Sequence, residues 1–110
     1  MFYKKNSNDY KEIIPGVKLK TLCYGEKTLL SEFRIGSGVS IPKHFHPCEQ
    51  TGYLVSGSIL LTIGEDTYEV SSGDSWSVLS NVEHSAAAVM DSIIVEVFSP
   101  VREEYLPENM

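Results

Sequence analysis

A chain of 110 residues, 42% apolar and 22% charged, has room for one domain with one modest core. Its 15 acids outweigh 9 bases, and the formal charge of −6 argues against nucleic acid, which requires clustered Lys and Arg. No stretch approaches a membrane helix and "MFYKKNSNDYKEIIPG" holds no apolar leader, so the expectation is a cytoplasmic protein without a membrane partner, with Cys23 and Cys48 as thiols.

After that polar lead, apolar residues recur with a period of two in short runs, punctuated by turn residues. "GVKLKTLCYG" sets Val17, Leu19 and Thr21 against Lys18 and Lys20, whose side is expected to be wet. "TLLSEFRIG", "TGYLVSG", "SILLTIG", "TYEVSSG", "WSVLSN", "HSAAAVM" and "SIIVEVFSP" follow, with "GEDT" at 64–67 predicted as a hairpin turn. No window keeps a helical period, and Ala86–Ala88 is too short to nucleate a helix. Eight or more short strands at this spacing predict an all-β sandwich or barrel filling a single domain, 1–110. The last eight residues, "EEYLPENM", read as a loose polar tail.

The chemistry concentrates in "IPKHFHPCEQTGYLVSG", residues 41–57. In a strand, residues i and i+2 project from one face, so His44 and His46 point the same way and suit a first-row transition metal. An arbitrary H-x-H pair is as often two surface histidines. Three features weigh against that here. Gln50 offers a side-chain oxygen that completes a nitrogen-rich site without adding charge, while Glu49 falls on the opposite face. Gly38 and Gly57 bracket the stretch as strand ends. His84, the remaining histidine, supplies a fourth ligand if the sheet folds back.

These spacings resemble the cupin family. Its first motif, G-x5-H-x-H-x3/4-E-x6-G, is matched by Gly38, His44, His46, Gln50 and Gly57, with Gln in place of Glu. Its second, G-x5-P-x-G-x2-H-x3-N, keeps Gly73 and His84, with Leu79, Asn81 and Ala88 at the Pro, Gly and Asn positions. The resemblance spans roughly residues 16–100. It implies a small jelly-roll β-barrel with a central divalent metal (nickel, zinc, manganese or iron) on His44, His46, Gln50 and His84, often in a dimer. Three imidazoles and an amide leave the ion its full double charge, favouring Lewis acidity and an anionic substrate.

"VEVFSPVREEYL", residues 95–106, is similar to the small single-domain cupins related to the pectin-degradation protein KdgF. That group carries a His, His, Gln, His site and opens 4,5-unsaturated uronates to keto acids. Its acid, Phe and Arg positions fall on Glu96, Phe98 and Arg102, with Glu where the group has Asp. Read for itself, Glu96 interrupts the apolar run "SIIVEVF" on the face of Ile94 and Phe98. Burial there would raise its pKa toward a useful value for an acid or base. The alternative is a wet face or simple neutralisation by Arg102. Arg102 is either a bidentate clamp for a substrate carboxylate or a surface residue near the chain end.

Cys48 reads as a small buried thiol, and Trp76 and Tyr53 as anchors of a core or dimer face. Gly52, on the Gln50 side, would leave room beside the metal. The expected function is a metal-dependent, isomerase- or lyase-like activity on a small anionic sugar acid, with Glu96 moving a proton and Arg102 holding the carboxylate. The alternatives are a metal-dependent dioxygenase and a non-catalytic ligand-binding barrel. Limited core and open sheet edges predict a homodimer.

Overall fold

The alternating runs become strands. The computed structural model describes all 110 residues and contains eight: β1 (Lys11–Ile14), β2 (Val17–Tyr24), β3 (Leu29–Ile35), β4 (Ser40–His44), β5 (Glu49–Ile63), β6 (Asp66–Ser71), β7 (Ser75–Val78) and β8 (His84–Ser99). They pair antiparallel in the order β1-β2-β3-β8-β5-β6, with β4 added to β8 and β7 to β5.

Two runs read as pairs of short strands are single long ones: β5 has 15 residues and β8 has 16. Register shifts between Leu54 and Ile59 bend the β5–β8 ladder. The first half of β5 and the last half of β8 therefore lie with β3 and β7. Their other halves lie with β4 and β6. The bent sheet folds over its own inner face as the expected all-β jelly roll.

Gly57 sits at that bend. It is not a strand end but a bulge inside β5, at φ +108, where a Cβ would collide with Ser92 and the Asp91 carbonyl. Only glycine fits.

Inward residues of every layer meet in one cluster that includes Val17, Leu19, Phe33, Leu54, Ile94 and Phe98. The 64–67 hairpin forms as expected, with Ile63 opposite Asp66 across a turn at Gly64 and Glu65. Lys18 is exposed. Lys20 is only 8% exposed, because residues 1–10 run past β2 and its Nζ donates to the Asn6 carbonyl at 3.0 Å and to Asn6 Oδ1 at 2.6 Å.

The C-terminal octapeptide is not a loose tail. Glu103–Tyr105 and Pro107–Asn109 form two 3-10 turns, and Leu106 and Tyr105 pack against the core. Thr21 Oγ1 donates to the Tyr105 carbonyl, and the Tyr105 ring meets Phe33 and Phe98 edge-on with centroids 6.0 and 5.4 Å away. Its apolar pair, Tyr105 and Leu106, outweighs the polarity of its neighbours.

Candidate functional site

His44 ends β4 and faces His84, the first residue of β8, as a register partner. His46 lies beyond the strand, in the loop to β5, so its inward direction comes from local bonds rather than strand parity. Asn81 N–H donates to the His46 carbonyl at 2.8 Å, and Ser80 Oγ donates to the Pro47 carbonyl at 2.7 Å. Asn81 manages this at φ +63, the left-handed conformation a glycine would otherwise supply.

The three rings converge with centroid separations of 4.2, 4.9 and 5.6 Å, and their ligand atoms lie within 4.8 Å of one another. In each ring Nδ1 bonds a backbone carbonyl: His44 to Pro42 at 2.8 Å, His46 to Cys48 at 2.9 Å, His84 to Val82 at 2.8 Å. A carbonyl only accepts, so Nδ1 carries the proton and Nε2 keeps its lone pair.

The Nε2 atoms of His46 and His84 are buried with no hydrogen-bond partner. Burial pushes the His84 imidazole down to about 4, against the pull of the Val82 carbonyl. Burial also lowers His46, with the Arg102 charge adding to the effect. Neutral rings with orphaned, inward lone pairs are the donor set a divalent transition metal takes. The residues present fit such an ion.

Gln50 and Glu96 complete the polar lining. Gln50, on β5, is 5% exposed, while Glu49 faces outward as parity requires. Gln50 Nε2 donates to Glu96 Oε2, which leaves the Gln50 carbonyl oxygen as the end of the amide that Glu96 does not engage. Glu96 is 8% exposed on the inner face of β8 between Ile94 and Phe98, so the wet-face reading is excluded. Burial pushes its carboxyl from 4.5 up to about 8, with Arg102 pulling the other way.

The cavity is about 60 Å³ and is lined by His44, Gln50, His84, Glu96 and Arg102, with Trp76 and Tyr105 as aromatic walls. A larger depression of about 1370 Å³ lies under the N-terminal arm, and its lining holds no histidine. Gly52 leaves no open room beside the metal site. A Cβ there would stand inside the Trp76 indole, so the missing side chain is already replaced by that ring. Tyr53 is exposed, and Cys48 is the buried thiol expected, its pKa raised by burial.

Arg102 lies over the Phe98 and Tyr105 rings, with Cζ 5.2 and 4.2 Å from their centroids. Its Nε is buried without a hydrogen bond; Glu104 Oε2 comes within 3.4 Å but is misaligned. Sequence reasoning missed Tyr105 and the role of Trp76 as a cavity wall. The signal for the first was its spacing, three residues after Arg102.

Residues 31–99 match the model of the family described as Cupin domain. The chain is a cupin. Among the cupins it resembles is the pectin degradation protein KdgF of Dickeya dadantii (strain 3937), 21% identical over 107 residues, covering 96% of this chain and 97% of the relative. The structure of KdgF from a Halomonas species superposes with a TM-score of 0.91 at 24% identity, over 96% of this chain and all of that one. An RmlC-like cupin from Shewanella frigidimarina NCIMB 400 gives the same TM-score, 0.91, at 22% identity over 96% of both chains. At these identities the superpositions establish the cupin barrel, and the cluster of His44, His46 and His84 is this chain's own evidence for a site within it.

Proposed function

We propose that this cupin is a metal-dependent enzyme that opens the ring of a 4,5-unsaturated uronate, or a closely related sugar acid, to the keto acid. The observation that carries the proposal is Glu96: a carboxyl pushed up to about 8 by burial, in the same cavity as a guanidinium and His44 and His84, on which His46 converges. The likeness to two KdgF proteins supports the choice of substrate class.

The reaction is an isomerisation. The bond between the ring oxygen and C1 breaks, the anomeric hydroxyl loses its proton to leave an aldehyde, and the enol at C5 becomes a ketone as C4 gains a proton. One group that accepts and returns a proton balances it. Glu96 has the pKa for both roles near neutral pH. Gln50 fixes the carboxylate through its amide N–H, and its carbonyl oxygen is the end left for the ion. His44, His46, His84 and Gln50 would hold a divalent ion, which supplies Lewis acidity toward the substrate's oxygens. Arg102 binds the substrate carboxylate, and Trp76 and Tyr105 exclude water from the reacting atoms.

The test is incubation of metal-loaded protein with 4,5-unsaturated galacturonate, following loss of the conjugated ultraviolet absorbance and appearance of the open-chain product by NMR. Turnover that falls about a hundred-fold in Glu96→Gln supports the reading. No conversion of unsaturated uronates by metal-replete wild type would reject it in favour of a binding protein.

A further inference from the structure

The geometry points to Tyr105 as the positioning residue that gives the cavity its selectivity for a carboxylate, by holding the Arg102 guanidinium in the corner it forms with Phe98. The inference rests on Arg102 being the anion-binding group of the proposed function.

Arg102 caps the 3-10 turn Glu103–Tyr105, and the Tyr105 N–H donates to the Arg102 carbonyl at 2.9 Å. Side chains three apart in a 3-10 turn eclipse each other, so the Tyr105 ring is brought onto the guanidinium. Cζ stands 4.2 Å from the Tyr105 centroid and 5.2 Å from that of Phe98. The Tyr105 ring is itself fixed edge-on against Phe33 and Phe98, and its backbone is tied to β2 through Thr21. An arginine has several rotatable bonds, and freezing them for one ligand contact is costly. Here that ordering is done before the ligand arrives.

The arrangement also explains what the guanidinium lacks. The two rings, inclined at 74° to each other, lie close to Cζ and offer its N–H groups no lone-pair acceptor. Its buried Nε has no hydrogen-bond partner; the carboxylate within ion-pair reach, Glu104, is 64% exposed and misaligned, and Glu96 lines the same cavity without pairing to it. A desolvated planar fork with an unsatisfied donor fits a carboxylate in bidentate geometry. An uncharged alcohol at the same position offers one acceptor and no charge. Two devices could place Arg102, the aromatic frame or the Glu104 contact. Exposure makes the second weak.

The experiment is calorimetric titration of metal-loaded protein with D-galacturonate and with D-galactose, which carries CH2OH where the acid has its carboxylate. Wild type is expected to prefer the acid by about tenfold or more, the ratio that one charge-assisted contact provides. Tyr105→Leu should lose most of that preference at unchanged metal content. Tyr105→Phe should keep most of it, because the ring does most of the holding and the hydroxyl's own contact with Arg102 adds the smaller part. Glu104→Gln should change it less than about twofold. A Tyr105→Leu protein with the wild-type ratio overturns the inference, and so does a Tyr105→Phe protein that loses it. If Tyr105→Leu does not fold, Tyr105→Met is read the same way. A preference that follows the ring in a protein with no turnover sinks the proposed reaction and leaves this inference standing. Wild type with no preference for the acid sinks this inference whatever the turnover.

Discussion

The side-chain amide of Gln50 donates to the carboxylate of Glu96, across the β5–β8 ladder and inside the barrel. That contact explains a glutamine where the cupin motif has glutamate. An amide has two ends: its oxygen can face a cation while its N–H groups satisfy a buried carboxylate. A glutamate can do only the first. The neutral residue at position 50 is what permits an acid at position 96.

Gln50→Glu should therefore cost stability in a pH-dependent way. Two carboxyls in contact cannot both ionise in a buried site, and Glu96 would lose its donor. In chelator-treated protein the variant should be about 1–3 kcal/mol less stable than wild type at pH 8. The gap should widen further toward pH 10, where wild-type Glu96 ionises against the Gln50 amide while the paired carboxyls of the variant must still share a proton. Urea midpoints at the two pH values measure it; a gap that is constant with pH would contradict the pairing.

Glu96→Gln carries a pH signature with a definite sign. The folded-state pKa, about 8, lies above the ordinary 4.5, so the native state binds a proton the unfolded chain has released. The stability this contributes is fully present below about pH 4.5 and lost as pH rises through 8. Relative to metal-free wild type, Glu96→Gln should gain stability steadily across that window. His84 runs in the opposite direction, since its depressed pKa costs stability as pH falls from 6.5 toward about 4, but it is common to both proteins and cancels. Thermal melts from pH 5 to 8 read the difference, and parallel curves would show that Glu96 is ionised normally.

Much of the site is legible in the sequence because strand parity is local information. The inward Gln50 and outward Glu49 and the buried Glu96 between Ile94 and Phe98 follow from a period of two, while His84 is legible as the remaining histidine and from the cupin spacing. What was not legible depends on partners distant in the chain. Gly57 looks like a strand end, and only the collision of a Cβ with Ser92 shows that it is a bulge within β5. The last octapeptide looks polar, and only the Phe33 and Phe98 edges and Thr21 reveal where Tyr105 docks. His46 points inward because of Cys48 and Asn81, not because it belongs to a strand.

Gly52 offers a test of that long-range packing. It stands opposite Trp76 on one side and Glu96 on the other. Gly52→Ala would force the indole out of its place, costing about 1–3 kcal/mol by overpacking. Trp76 is the chain's single tryptophan, so its fluorescence reports the displacement directly. A shifted emission with a lowered urea midpoint is expected; unchanged values for both would mean the ring does not lie over Gly52.

The site as a whole stands or falls on its metal. The most direct measurement is the metal content of dialysed protein by inductively coupled plasma mass spectrometry, in wild type and in His84→Ala. Wild type should hold one divalent transition-metal ion per chain. His84→Ala should retain well under a tenth of that while keeping the barrel's circular dichroism, because the variant removes a lone pair aimed at the centre and no backbone bond of the sheet. Wild type without metal, or a His84→Ala protein that keeps its full complement, would contradict a centre built from these three histidines and Gln50.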